Sequence, residues 1–368
     1  MIDKKLMKHI DIKMIFVVIA LFLISIMMIS SATHVLKYGL TKKVEIQTIS
    51  FLIGIVAVIL ILFIDYNKFS DFAKGIYIGS ILLLLCVYIP GLGKVQYGAR
   101  SWLNLGPIDM QPSEIVKIGF ILSFAKFLEV RQNKLDTVKD LIPVGLYALV
   151  PILLVLKEPD LGNALVFVVI ALGMTFSAGL NYKWIKKGLI LAIMGVPIAY
   201  KFMEPHQRIR IDAFLHPSDL SLPGNYHVMQ SKIAIGSGQL LGKGLYHGTQ
   251  NNNNFLPVQE SDFIFAVIGE EFGLLGGIVV LILYFIFLYR MIKIAKDAKD
   301  RYGSLIVIGI TSMFAFQIFE NIGMTMGVMP VTGVTLSFLS YGGTSILTNM
   351  IALGIVLNIG MRRQKINF

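Results

Sequence analysis

Residues 14–29 read MIFVVIALFLISIMMI and residues 49–64 read ISFLIGIVAVILILFI, and neither block holds a charged residue. Each approaches the roughly 20 apolar residues that a helix needs to cross the hydrocarbon core of a bilayer. Blocks of this kind recur along the whole 368-residue chain, where a soluble enzyme of that length has use for one at most. The composition agrees: 55% of the residues are hydrophobic and 15% are charged, against about 25% charged in a soluble domain. The outer surface of the fold therefore faces something apolar. The net charge of +11 does not call for a nucleic-acid partner, because the basic residues gather in the short segments between apolar blocks, as they do when a membrane protein sets its orientation.

The apolar pattern predicts an all-α polytopic membrane protein of about ten helices, near 14–31, 46–64, 73–90, 112–129, 141–156, 162–180, 184–203, 263–289, 303–327 and 341–361. Between the seventh and eighth lies one long polar segment, 204–262, and long connections are where function concentrates. With the N-terminus in the cytoplasm, about 21 basic residues fall on the inner side and about 11 on the outer, so both termini are expected inside and the long loop outside. Lys4, Lys5, Lys8 and Lys13 precede an apolar block too long for a signal peptide, which is read as an uncleaved first span. Cys86 is the single cysteine, so no internal disulfide forms. No internal repeat and no separate soluble domain is visible, and residues 1–368 are taken as one membrane domain.

Four stretches carry chemistry. In Gln111-Pro112-Ser113-Glu114-Ile115-Val116-Lys117, Pro112 suits the first turn of a helix. Glu114 and Lys117 stand three apart and share a face. A lone charge at mid-bilayer costs on the order of 2.5–3.5 kcal/mol on an insertion scale, so the two are expected to pair or to line a wet cavity. Asp262 stands where the long loop enters the eighth span; it either caps that helix or offers a carboxylate at the outer surface. Asp262, Ala266, Gly269 and Gly273 follow helical spacing, and Glu270 is expected near the same side, facing the bundle interior. Arg208 and Arg210 in the loop form either a solvated pair or a phosphate-binding pair. Gly236 to Gly244 is glycine-rich but lacks a nucleotide-binding pattern, which argues against a nucleotide and for a mobile or re-entrant loop. Ser340-Tyr341-Gly342-Gly343-Thr344-Ser345 opens the last span, for tight packing or to line a cavity. Trp102 reads as an interfacial anchor. By the expected topology these groups collect on the outer side, which suits a transporter, a lipid-handling enzyme or a channel.

The order of these stretches resembles the SEDS family (RodA, FtsW and SpoVE) over nearly the whole chain. GARSWLNLG, QPSEIVK, KEPDLGNAL, RIRIDAFLHP, AIGSGQLLGKG, LPVQESDFIFAVIGEEFG and MPVTGVTLSFLSYGG carry the likeness, with RIRIDAF, GKGLYHGTQ and FLPVQESDFIFAVIGEE nearest to RodA. The resemblance implies peptidoglycan glycosyltransferase activity on lipid II at the outer face of the cytoplasmic membrane, in elongation and cell-shape control. It puts the essential acid on Asp262 and an acid and base on Glu114 and Lys117; beside these, Arg208, Arg210, Glu270, Ser340, Gly342 and Gly343 are candidates for supporting or binding the substrate or its pyrophosphate. It further implies a class B penicillin-binding protein and other elongation-complex membrane proteins as partners. A divalent cation, Mg or Mn, on Asp262 is open. The chain departs from the family at Glu260 (often His), Ser337 (a common Pro), Thr344 (usually Ser) and Gln239 (often Gly); Glu260 is expected to raise the proton affinity of Asp262. The alternatives are a lipid II flippase, for which a repeat and midplane charges would be expected, and a non-catalytic scaffold of the elongation or sporulation machinery.

Overall fold

The computed structural model describes residues 9–33, 41–96, 99–104, 109–131, 135–203, 205–222, 224–253, 255–256 and 258–363. The basic residues Lys4, Lys5, Lys8 and Lys365 lie outside them, as does Gly98. In chain order the elements are α1 (Ile12–Ala32), α2 (Lys42–Phe63), α3 (Asn67–Asp71), α4 (Ala73–Leu85), β1 (Gly93–Gln96), β2 (Ala99–Asn104), β3 (Asp109–Met110), α5 (Pro112–Glu129), α6 (Val138–Lys157), α7 (Leu161–Ser177), α8 (Tyr182–Phe202), α9 (Pro205–Leu215), α10 (Asn225–Ser237), α11 (Thr249–Asn252), α12 (Ile264–Lys296), α13 (Arg301–Thr325) and α14 (Gly343–Met361).

Among the described residues six helices, α1, α2, α6, α12, α13 and α14, are long and apolar enough to cross a membrane. α4, with the turn after it, and α7 are apolar but shorter. α5 and α8 occupy two further expected places, and each carries four charged residues. Side-chain capping starts α1, α7 and α13: Asp11 accepts from Met14 N at 3.1 Å, Asp160 from Asn163 N at 3.0 Å and Asp300 from Gly303 N at 2.7 Å. Such bonds satisfy amides that a helix start leaves open. α13 and α14 lie at the centre, with Phe314, Leu305, Val356 and Leu357 buried, while α2 and the second half of α12 turn Leu60, Phe63, Phe285 and Tyr289 outward. An outward apolar face is what a lipid solvent permits.

The structure departs from expectation in two places and adds a small sheet. The segment 204–262 is not a plain loop: it holds α9, α10 and the single turn α11. The strands β1, β2 and β3, outside the expected helices, pair antiparallel in that order, with Trp102 of β2 opposite Lys94. The eighth span runs on to Lys296 and is broken at Gly273, whose φ of 63° and ψ of −159° are not helical. Only a residue without Cβ adopts that conformation easily.

The break explains the glycine-rich stretch, which is seated rather than mobile. Lys243 N and Gly244 N donate to the carbonyls of Glu270 and Glu271, both at 3.0 Å, while Leu274 N and Leu275 N donate to Gln239 O and Leu240 O at 2.8 and 3.2 Å. The chain after α10 thus supplies the backbone partners that the broken helix lacks, as irregular backbone at membrane depth requires. Gly238 lies so close to the carbonyl of Gly269 that a Cβ there would collide with backbone, whereas a Cβ on Gly236 would meet open space. Gly238→Ala is therefore expected to destabilise the fold by about 1–3 kcal/mol and Gly236→Ala to leave it unchanged, as read by thermal unfolding of the purified protein in detergent. Equal melting of the two variants would contradict the seating of this stretch.

Candidate functional site

The turn 258–263 delivers Asp262 to the start of α12. It closes with Asp262 N donating to Val258 O at 3.1 Å. Phe263 occupies the cap position and no side chain caps the helix, so the Asp262 carboxylate is not spent on capping and that local reading is set aside. Its Oδ1 accepts from Ser261 Oγ at 3.0 Å. Its Oδ2 lies 3.7 Å from where a Cβ would stand on Gly333. Burial pushes the Asp262 carboxyl above the ordinary range; the Ser261 hydroxyl and Arg210 oppose this, and Glu260 adds to it. Glu260 is held by Lys43 at the start of α2.

A second polar group forms around the first turns of α5 and α7. Lys117 Nζ donates to Glu114 Oε1 at 2.6 Å and to Asn163 Oδ1 at 3.1 Å. Asp160 Oδ2 accepts from Asn163 Nδ2 and from Gln111 Nε2, both at 2.8 Å. Glu114 Oε2 has no partner among the described residues. Lys117 is fully buried, so its charge is spent inside the protein. Asp160 and Asn163 belong to the KEPDLGNAL stretch and were not singled out as site residues; the signal was an acid at a helix start with a polar residue three positions on. Beside them Glu158 is buried with both oxygens unpartnered. Burial, and the charge of Asp160, push its carboxyl up to about 8. Burial also raises Asp160, against its bonds from Asn163 and the charge of Lys117.

The run 332–334 lies between the two groups. On one side Gly333 faces Asp262; on the other, a Cβ on Gly162 at the start of α7 would run into Thr332 O and Val334. Arg210 of α9 donates to Thr332 O at 3.3 Å, so it stands at this junction with its charge beside Asp262. Arg208 points elsewhere: its Nη2 donates to Lys201 O at 2.5 Å and its guanidinium lies 5.7 Å from the ring centre of Tyr200. The two arginines do not form one phosphate clamp.

Glu270 is buried as expected but does not share an open face with Asp262. It accepts from Lys243 Nζ at 2.7 Å, Thr249 Oγ1 at 3.1 Å, Gln250 N at 2.9 Å and Asn251 N at 3.2 Å. It is a fully used anchor for α11. Ser340 Oγ donates to Ser261 O and accepts from Leu336 N, and Gly342 N donates to Gln47 Oε1 at 3.1 Å. Gly343 packs against Ser50 and Ile46 of α2. Ser340 braces the Asp262 turn, while Gly342 and Gly343 seat the start of α14 against α2. Among the described residues no three His, Cys, Asp or Glu side chains converge to hold a metal ion.

The model of the FtsW, RodA and SpoVE cell cycle proteins matches residues 12–365. The peptidoglycan glycosyltransferase MrdB of Escherichia coli is 36% identical over 360 residues, covering 98% of this chain and 95% of that protein. The stage V sporulation protein E of Bacillus subtilis is 36% identical over 310 residues, 83% of this chain and 84% of that one. A solved peptidoglycan synthase complex, described as coordinating polymerisation and crosslinking, contains a chain with a TM-score of 0.83 and 30% identity, covering 97% of this chain and 99% of its own.

Losing one member of a buried ion pair strands the other, at about 3–5 kcal/mol. Lys117→Met is expected to destabilise the protein by that order, and Glu114→Gln with Lys117→Met to recover most of the loss. Chemical unfolding of the wild type, both single variants and the double variant measures the coupling; additive losses would show that the pair does not act as a unit.

Proposed function

The chain belongs to the FtsW/RodA/SpoVE family, and from that premise we propose that it is a peptidoglycan glycosyltransferase that polymerises lipid II at the outer face of the cytoplasmic membrane, with both termini in the cytoplasm. The observation that carries the reading is Asp262: a carboxylate at the mouth of the bundle, not used as a cap, with one oxygen facing the gap left by Gly333. A general base needs such an oxygen within reach of the proton it takes.

In the reaction we propose, Asp262 takes the proton of the 4-hydroxyl on the acceptor lipid II. The hydroxyl oxygen attacks the anomeric carbon of the donor strand, and the bond to undecaprenyl pyrophosphate breaks with inversion. Negative charge grows on the leaving pyrophosphate, and Arg210, whose charge stands beside Asp262, would offset it. The Glu114–Lys117–Asp160 group braces the facing wall from within. A Mg or Mn ion would supply further charge neutralisation for the pyrophosphate. Magnesium is commonly held by one or two carboxylates plus substrate phosphates, so Asp262 would hold it only with substrate oxygens. No step above depends on it. A crosslinking class B penicillin-binding protein is the expected partner, in elongation or sporulation.

Asp262→Asn is expected to leave folding intact and to abolish polymer formation from labelled lipid II by the purified protein. Retained polymerisation would remove Asp262 from the role; lipid translocation without polymer would favour a flippase, and neither activity a scaffold. The base must be ionised to act. Because burial raises its proton affinity, the rate is expected to fall with acidification at a pH above the ordinary carboxylate range. Glu260→Gln removes a neighbouring negative charge and is expected to move that limb downward. A pH–rate profile of both proteins reads the shift, and an upward or absent shift would contradict the assignment.

A further inference from the structure

Asn321 lies within α13, fully buried in an apolar span. Its Nδ2 carries two hydrogens, and it uses both: one bond goes to Asp262 O at 3.0 Å and the other to Val334 O at 2.8 Å. The acceptors belong to different stretches of chain. One is the turn that carries Asp262; the other is the run 332–334 that faces it. A single planar amide therefore sets the spacing between the two.

That spacing matters because the Asp262 carboxylate is the group that faces Gly333 across it. Apart from adjoining residues, Asp262 Oδ2 is the sole described heavy atom within 4 Å of where a Gly333 Cβ would stand. The rest of the turn is held as firmly. Tyr341 N donates to Glu260 O at 2.9 Å and Ser340 Oγ donates to Ser261 O. Three successive carbonyls, those of Glu260, Ser261 and Asp262, thus accept from three separate donors. Of these donors, Asn321 alone also reaches across to the opposite wall.

We propose that Asn321 is a positioning residue for glycosyl transfer: its amide fixes the width of the gap between the Asp262 carboxylate and the Gly333 backbone, into which the acceptor hydroxyl must fit. The inference rests on the reading of Asp262 as general base and adds to it the device that holds the base in place. Misplacement of a catalytic group by about 1 Å costs on the order of a hundredfold in rate. The loss falls chiefly on the chemical step, because Asn321 is fully buried and acts through the backbone of Asp262 and Val334.

Asn321→Leu keeps the branched shape and removes both donors. In the purified full chain it is expected to lower kcat for lipid II polymerisation by about 10–100-fold, with KM changed by less than about twofold; the melting temperature falls, because two buried carbonyls lose their donor, and the assay is run below it. Unchanged kcat in the folded variant overturns the proposal, as does a loss confined to KM. Asn321→Ser, which leaves room for a water, is read in the same way if the leucine variant does not accumulate. A second measurement needs no activity. With Asp262→Cys and Gly333→Cys introduced together, oxidative crosslinking between the two positions is expected to be fast when Asn321 is present and at least several-fold slower with Asn321→Ser or Asn321→Leu. Equal rates overturn the proposal. If the wild-type chain polymerises nothing while crosslinking responds to Asn321, the proposed function fails and the positioning of residue 262 stands.

Discussion

A polar group carried into an apolar layer finds its partner within the protein, because no water is there to supply one. Most of the irregular features of this fold follow from that constraint. The helix α12 breaks at Gly273, and the freed backbone groups are met by residues 239–244, which return from α10 to meet them. Glu270 is carried inward with the break, and the amides of Gln250 and Asn251 with the Lys243 ammonium surround it. Glu271 beside it is taken by Ser31 of α1 and by Asn251. Polar residues that would be costly one by one become the ties that hold the segment 238–252 against the bundle.

The same accounting separates residues that brace from residues that remain available. Glu114, Lys117, Asn163, Asp160 and Gln111 form a connected chain of bonds between the first turns of α5 and α7. Glu270 and Ser340 are committed as well. Asp262 differs: its backbone is pinned while one carboxylate oxygen faces the Gly333 backbone. A rigid frame around an acid that keeps one oxygen free is the arrangement that proton transfer requires, since the group must be held in place without being neutralised by the frame itself. Arg210 fits the same logic, anchored to Thr332 O while its charge stays beside the acid.

Much of this was legible in the amino-acid order, and the reasons differ from element to element. The apolar blocks announce themselves by length alone, whatever their internal spacing, and helices stand in the places they mark. Glu114 and Lys117 show in sequence as charges three apart in an apolar span, and their pairing follows from cost. The break in α12 was not legible, because Gly269, Gly273, Gly276 and Gly277 all stand in one stretch and only the return of residues 239–244 selects Gly273. The sheet at 93–110 was hidden because its strands are short and its partners are set by tertiary contact. Glu270 was assigned to the face of Asp262 on helical spacing, and the spacing failed because Asp262 lies before the helix begins. Asn321, with Glu320, is as conspicuous in its apolar block as Glu114 is in its own, and polar residues at such positions mark functional sites by default.

The chemistry then explains why a sugar polymerase would need so much membrane-embedded chain. A lipid-linked substrate keeps its prenyl tail in the hydrocarbon and presents its pyrophosphate and sugars at the interface. In the proposed reaction the carboxylate must sit at that boundary, low enough to meet the anomeric carbon and high enough to meet a hydrated acceptor. An exposed loop would place it with little precision, and a regular helix would spend it as a cap or bury it in a pair. The turn 258–263 avoids both outcomes. It enters α12 without a side-chain cap, and its carbonyls are tied to α13 through Asn321 and to the residues leading into α14 through Ser340 and Tyr341. The helices are thus more than an anchor: they are the rigid body against which one carboxylate is aimed.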